Sequence, residues 1–405
     1  MVTILHYLGA GLLGLVIVQL GLAVVVSVRR LLLAREVQEA ELKVFRERLA
    51  KAQAQRRRVE ADVTPWSGAR KFTVSRVVQE CEGVKSFYLQ PHDQKPIPAF
   101  KPGQFLTFQL NVPGHGKKVV RCYSLSDRPQ DGCYRVTIKH VTDGVGSGHF
   151  HHAVTEGSIV DVKAPAGGFF LDLDRDSPVV LIGAGVGLTP LLSMLNEIIH
   201  TQPSRKVWLF YGVRNTGDHI MKDYLRQVAR DHRNVELRTF YSQPGPDDVQ
   251  GVDYDYAHRL SLEFLRRELP SNNYDFYLCG PGQMMQTMVS GLTTWGVPAD
   301  HIHKEAFGPA SVKKAPVPAG VSVTFAKSNK TLAWSEDAGS LLALAEANGI
   351  TTIDTSGCHA GSCGTCKTAV MCGKAVYSQE PSSDVEQGSC LTCISVPESD
   401  VTLDA

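Results

Sequence analysis

The sequence predicts a multidomain chain: an N-terminal transmembrane helix, a charged helical stalk, an antiparallel β-barrel, a parallel-sheet α/β unit and a small α+β unit. Three observations carry this reading. From Phe72 to Val162, short runs alternate apolar and polar residues between closely spaced turns. From Pro178 to Trp295, apolar strand-like runs alternate with longer helical ones. Six of the ten cysteines crowd between Cys358 and Cys393. With 43% hydrophobic and 20% charged residues the 405-residue chain has the composition of an average globular protein, so the informative departures are local. A net charge of +1 gives no reason to expect nucleic acid as a partner.

The first departure is the N-terminus. Val2 to Val28 is almost wholly apolar, broken by Thr3, His6, Gln19 and Ser27. A helix crossing the hydrocarbon core needs about 20 such residues. Arg29, Arg30 and Arg35 follow and no Lys or Arg precedes. The positive-inside rule then puts the N-terminus outside and the remaining domains in the cytoplasm. A cleaved signal peptide would carry a basic n-region and a shorter apolar core. We therefore expect a single-pass anchor in the cell membrane over residues 1–30, crossing through 2–28. Residues 31–65 turn to charge, with Glu36, Glu39, Lys43, Arg46 and Arg48 among Leu42, Phe45 and Leu49, and read as a solvated helical stalk.

The barrel is expected over residues 66–173. Strands are predicted at Val84–Leu89, Gln104–Leu110, Tyr134–Lys139 and Ile159–Val162, because residues there alternate and turns such as Lys101-Pro102-Gly103 separate them. Within it lies Arg121-Cys122-Tyr123-Ser124. An Arg can grip a phosphate through two parallel hydrogen bonds, an aromatic ring can cover a flat ring system, and a hydroxyl can bond a ring nitrogen. This Arg-x-Tyr-Ser resembles the flavin motif of the ferredoxin–NADP reductase superfamily. The resemblance implies that Arg121 holds the flavin diphosphate, Tyr123 stacks on the isoalloxazine and Ser124 approaches its N5. Gly144-Val145-Gly146-Ser147 stands where that family has Gly-x-x-Ser before a helix, which implies phosphate contacts at Gly144, Gly146 and Ser147.

The α/β unit is expected over residues 174–312. The apolar run Pro178–Ile182 leads into Gly183-Ala184-Gly185-Val186-Gly187-Leu188-Thr189-Pro190 and then a helix over Leu191–Ile199. Strand, glycine turn and helix together cradle a pyrophosphate, which makes Gly183, Gly185, Gly187 and Thr189 candidate binding residues. The spacing is not the G-x-G-x-x-G fingerprint of an ordinary dinucleotide fold. It is similar to the nucleotide lobe of the same reductase superfamily. That resemblance extends to Cys279-Gly280-Pro281 after the strand Asp275–Leu278, and to Glu305-Ala306-Phe307-Gly308. It implies that Cys279, Gly280 and Pro281 lie beside the nicotinamide and that Phe307 covers the flavin face. Ser124, Cys279 and Glu305 are then expected to shape the hydride-transfer site. The run from Asp248 to Phe307 is especially similar to the reductase half of flavohaemoglobins, which favours FAD over FMN. Arg214, in the loop after the second strand, is placed to meet a 2′-phosphate, but no Ser, Tyr and Arg cluster accompanies it, so NADH is expected over NADPH.

A Pro-rich linker at residues 313–320 leads to the last unit, residues 321–405. Cys358-x4-Cys363-x2-Cys366, with Cys393 after another 26 residues, has the plant-type 2Fe–2S spacing. Structural zinc prefers two C-x2-C pairs, and disulfides do not suit a cytoplasmic domain. Leu391-Thr392-Cys393 resembles the end of a plant-type ferredoxin, which implies Cys393 rather than Cys390 as the fourth ligand and a β-grasp fold. The domain order resembles the reductase components of Rieske-type oxygenases. A hydride carries two electrons, the cluster takes one, and a flavin between them can handle either number. The expected chain runs from NAD(P)H through FAD to the cluster and on to an acceptor no motif identifies, expected to be a membrane-associated oxygenase, hydroxylase or desaturase. A respiratory-type quinone reductase and a membrane-bound redox sensor are the alternatives.

Overall fold

The computed structural model describes residues 65–405, apart from 117, 131, 308–319, 354–356, 379–380 and 382–384; ahead of 65 it describes only 19, 22, 28, 29 and 35. The anchor and stalk readings therefore lie almost wholly outside the described residues. Among the described residues no helix is long and apolar enough to cross a membrane.

The barrel comprises β1 (Ala69–Cys81), β2 (Val84–Pro91), β3 (Phe105–Leu110), β4 (Val119–Ser124), β5 (Tyr134–Lys139) and β6 (Ile159–Ala166), with α1 (Val145–His152) between the last two. The strand order is β4-β3-β6-β1-β2-β5, every neighbour antiparallel. The two edge strands meet just past β4, where Leu125 bridges Val136 and the Ser126 N–H donates to the Arg135 carbonyl at 2.9 Å. Closure removes the free edges of the sheet. Period-2 alternation sends Phe72, Val74, Phe87, Leu89 and Phe108 inward, and Phe150 of α1 joins that core.

The α/β unit comprises β7 (Val179–Ala184), α2 (Leu188–Thr201), β8 (Val207–Val213), α3 (Lys222–Asp231), β9 (Val235–Tyr241), α4 (Leu262–Glu268), β10 (Asp275–Gly280), α5 (Gly282–Thr294) and β11 (Ile302–Ala306). Its five strands are parallel in the order β11-β10-β7-β8-β9. A parallel sheet buries both faces, which explains the unbroken apolar run of β7. Val179 and Leu181 pack with Leu191 and Leu195 of α2, while Val180 and Ile182 pack with Met288 and Leu292 of α5.

The last unit comprises β12 (Ser322–Phe325), β13 (Lys330–Ala333), α6 (Leu341–Ala347), β14 (Lys367–Cys372), β15 (Ala375–Tyr377), β16 (Ser389–Leu391), β17 (Ser395–Pro397) and β18 (Val401–Leu403). Five strands form a mixed sheet in the order β13-β12-β18-β14-β16, and β15 pairs with β17. Ser340 caps α6 by accepting from the Ala343 N–H at 3.1 Å. The helix buries Leu341, Leu342, Leu344 and Ala345 against Val323, Phe325 and Leu403. The cysteine-rich loop runs between α6 and β14, and its Ile353 and Cys366 join this core.

Candidate active site

A cavity of about 600 Å³ opens between the barrel, the end of β11 and the cysteine-rich loop. Its wall is β4, whose pairing with β3 sets Ser124 opposite Phe105 and Arg121 opposite Phe108. Arg121, Tyr123 and Ser124 all line it. Phe108 and Phe150 meet the Tyr123 ring edge-on at 5.6 and 5.3 Å and fix its plane. Burial pushes the Tyr123 hydroxyl well above the ordinary phenol range, so the ring serves as a flat wall and not as an acid.

Gly144, Gly146 and Ser147 face the same space from the start of α1. A Cβ on Gly146 would stand 2.6 Å from Arg121 Cγ and 3.3 Å from Tyr123 Oη, so only glycine lets the helix close on the motif. The Ser147 hydroxyl accepts from the Val141 N–H at 3.1 Å and donates to the Gly144 carbonyl at 3.2 Å. It therefore ties down the turn. The first N–H groups of such a helix lack intrahelical partners and suit a phosphate.

Glu305 reaches the cavity from the end of β11 and is only 3% exposed. Its carboxyl accepts a hydrogen bond from Ser124, and Oε2 has no partner. Burial pushes it up to about 8, and the Ser124 bond opposes the shift. The residue therefore holds a proton near neutrality. Phe307 is 40% exposed at the cavity mouth. Thr189, expected in the nucleotide turn, lines this cavity instead, its hydroxyl donating to the Val186 carbonyl at 3.0 Å.

A second cavity of about 550 Å³ lies at the carboxyl ends of β7 and β8, where ligands of open α/β sheets bind. Gly183, Gly185, Arg214 and Pro281 line it. Gly187 lines neither cavity: a Cβ there would stand 2.2 Å from the Cys279 carbonyl, so this glycine lets the turn press onto β10. Gly280 and Cys279 line neither cavity either. The Cys279 side chain is fully buried, next to Glu305 across the strand pairing, and burial pushes its thiol well up. Arg214 bonds Asp218 through two nitrogens, and Lys139 stands 3.6 Å from the same carboxylate. Lys139 borders both cavities.

The cysteine-rich loop and the turn after β16, which carries Cys393, together bring two thiol pairs. The Cys358 N–H points at Cys363 Sγ at 3.2 Å, while the N–H groups of Ser362 and Cys363 point at Cys358 Sγ at 3.3 Å. Cys366 pairs with Cys393, and hydrogen bonding from Cys393 lowers the Cys366 thiol. Cys363 is held well below the thiol range by hydrogen bonds from Cys122 and Cys358. Two thiol pairs, each with one sulfur favoured as thiolate and N–H donors aimed at sulfur, fit a 2Fe–2S group. Cys390, on β16, is pushed up to about 11 by burial and stays a thiol. Cys358, His359, Ala360 and Ser362 also line the first cavity, so the loop and the Arg121–Ser124 motif bound one space.

Residues 71–171 match the oxidoreductase FAD-binding domain, residues 181–290 the oxidoreductase NAD-binding domain and residues 323–398 the 2Fe-2S iron-sulfur cluster binding domain. The chain is 32% identical to the flavohaem-like FAD/NAD-binding domain of nitric oxide dioxygenase from Vibrio cholerae, with a TM-score of 0.54, covering 60% of this chain and 100% of that one. The chain belongs to the FAD- and NAD-binding oxidoreductases, with a 2Fe–2S domain added. The reductase is also similar to phthalate dioxygenase reductase, at 25% identity and a TM-score of 0.56, covering 84% of this chain and 98% of that one. That protein is described as a modular structure for electron transfer from pyridine nucleotides to [2Fe-2S]. A flavohaemoprotein of Bacillus cereus is 37% identical over 251 residues, which are 61% of this chain and 62% of that protein. The reductase thus spans about three fifths of the length of such curated relatives. FAD, NAD(H) and a 2Fe–2S cluster are its cofactors, and it is an electron-transfer oxidoreductase.

Sequence reasoning missed Cys122 and Lys139. Cys122 is the variable position of Arg-x-Tyr-Ser and lies more than 200 residues from the sulfurs it meets. Lys139 ends a legible strand, but its place between two cavities depends on domain packing. Asp218 carried no motif at all.

Proposed function

We propose that this reductase is the membrane-anchored electron supplier of an oxygenase, hydroxylase or desaturase. The observation that carries the reading is the shared cavity, which the Arg121–Ser124 motif and the Cys358–Ser362 loop wall together. When bound, FAD takes up a hydride's two electrons and the 2Fe–2S cluster carries them one at a time. Arg121, Gly144, Gly146 and Ser147 hold the flavin diphosphate, and Tyr123 lies against the ring. Ser124 donates its one O–H to the Glu305 carboxyl at the edge of the reacting face. Phe307 shields that face until a nicotinamide displaces it. The glycine turn Gly183–Gly187 receives the coenzyme pyrophosphate, and Pro281 borders its path. Cys358, Cys363, Cys366 and Cys393 are the cluster ligands. Cys279 acts from beneath, as packing under Glu305.

Glu305 makes the reaction sensitive to pH. Below about pH 8 the buried carboxyl keeps its proton; above it, a carboxylate stands where a hydride must arrive and opposes that charge. Flavin reduction by NADH should therefore slow as pH rises through about 8, and Glu305→Gln should flatten the profile. Stopped-flow absorption across pH 6–10 (about four units around the inflection) checks this; an inflection retained in the Gln variant would exclude Glu305.

NADH is the proposed coenzyme, because Asp218 already engages the Arg214 guanidinium that a 2′-phosphate would need. The apolar run at residues 2–28 supports the anchor and a cytoplasmic face for the rest. One assay tests anchor, coenzyme and acceptor class together. Carbonate-washed membranes should carry cytochrome c reduction at least about tenfold faster with NADH than with NADPH, a difference of roughly 1.4 kcal/mol. Activity released into the wash would refute the anchor. Faster turnover with a short-chain quinone than with cytochrome c would favour a quinone reductase instead.

A further inference from the structure

We propose that Cys122, supplied by the flavin-binding barrel, is a fifth cluster-facing thiol that donates a hydrogen bond to the Cys358 and Cys363 sulfurs and raises the reduction potential of the cluster. The inference rests on the reading of Cys358, Cys363, Cys366 and Cys393 as cluster ligands. Cys122 belongs to β4, and Cys358 and Cys363 belong to the ferredoxin loop, yet their three sulfurs all lie within 4.8 Å of one another. The Cys122 sulfur is held in place. Cys122 pairs across the sheet with Thr107, which is 3% exposed, and Thr107 Oγ1 lies 3.4 Å from Cys122 Sγ.

Four thiolates complete a 2Fe–2S centre, and Cys358, Cys363, Cys366 and Cys393 already supply four. Cys122 is surplus as a ligand. A thiol this close to two ligand sulfurs has one remaining role, as an S–H donor to them. The loop's own donors at the first pair are backbone N–H groups of Cys358, Ala360, Ser362 and Cys363. Cys122 adds a donor from another domain. Hydrogen bonds to cluster sulfurs favour the reduced, more negative state and so raise the potential. Arg121 and Tyr123 flank Cys122 in the flavin motif. Cys122 lines the same cavity as Arg121, Tyr123 and Cys358, so the donor stands between the flavin motif and the cluster loop. Cys122 is a positioning residue for electron transfer between them, acting through Cys358 and Cys363.

The test is an EPR-monitored redox titration of the full-length protein carrying FAD and cluster. At a fixed potential, Cys122→Ala should lower the ratio of reduced to oxidised cluster by about three- to tenfold, tenfold being about 59 mV for a one-electron couple. Cys122→Ser, which keeps a donor, should restore most of the shift. Thr107→Val, which frees the thiol, should shift it in the same direction by less. An unchanged potential and line shape in Cys122→Ala overturns the proposal. Equal shifts in the Ala and Ser variants also overturn it, because packing would then explain them. Loss of the cluster from both would make Cys122 a ligand and overturn the donor role. A wild-type protein without a 2Fe–2S signal would instead refute the ligand reading beneath it.

Discussion

Replacing Cys366 with Ser is expected to bring cluster iron down to background while FAD stays bound. Cys366 is 3% exposed and packs with Cys393, Leu391 and Ile394 in the core of the ferredoxin unit. A serine hydroxyl is harder and less readily ionised than a thiol, so the Cys366–Cys393 pair would lose one of the two sulfurs it offers the cluster. The FAD site stands apart from this pair, since Cys366 and Cys393 do not line the flavin cavity. NADH–ferricyanide activity should persist, and cytochrome c reduction should fall to background. Cys363 is the weaker choice for this test, because Cys122 lies within 4.8 Å and could replace its sulfur. Iron analysis with both assays decides the matter; loss of ferricyanide activity with FAD still bound would contradict the electron order.

Removing the Ser124 hydroxyl is expected to slow flavin reduction by NADH at least about tenfold, roughly 1.4 kcal/mol of barrier. Ser124 is 5% exposed and joins two domains at the reacting face, since it belongs to the barrel and bonds Glu305 of the α/β unit. In Ser124→Ala the carboxyl loses the bond that opposes its burial, while Oε2 has no partner to compensate. The Glu305 titration should then move above its present value of about 8. A packing defect alone would slow the reaction without moving the pH inflection. An unchanged rate in stopped-flow measurements would remove Ser124 from the site.

The fold was legible wherever burial imposes a regular period. Tyr134, Val136 and Ile138 alternate with Arg135, Thr137 and Lys139 because one barrel face packs the core, and Val179–Ile182 does not alternate because both faces of its sheet are covered. β4 escaped notice as a strand because Arg121, Cys122 and Tyr123 serve the cavity and break the alternation. α3 escaped because only Leu225 and Val228 are buried, too narrow a stripe to register as a period. In the site, Arg121, Tyr123, Ser124, Glu305 and Phe307 were legible as motif residues, and the structure brings them to one cavity. Cys279 was placed at the site from its Cys-Gly-Pro context. Its side chain points into the core beneath α2, with Leu188 and Leu191, and so is buried away from both cavities. Cys122 could not be read at all, since its role depends on a domain contact that no local pattern encodes.

The most direct test of the account is an anaerobic NADH titration of the detergent-purified protein, followed by visible absorption and low-temperature EPR. Flavin bands should bleach together with the growth of a rhombic reduced-cluster signal. Flavin bleaching without that signal, in protein shown to contain iron, would contradict the claim that the shared cavity carries electrons from flavin to cluster.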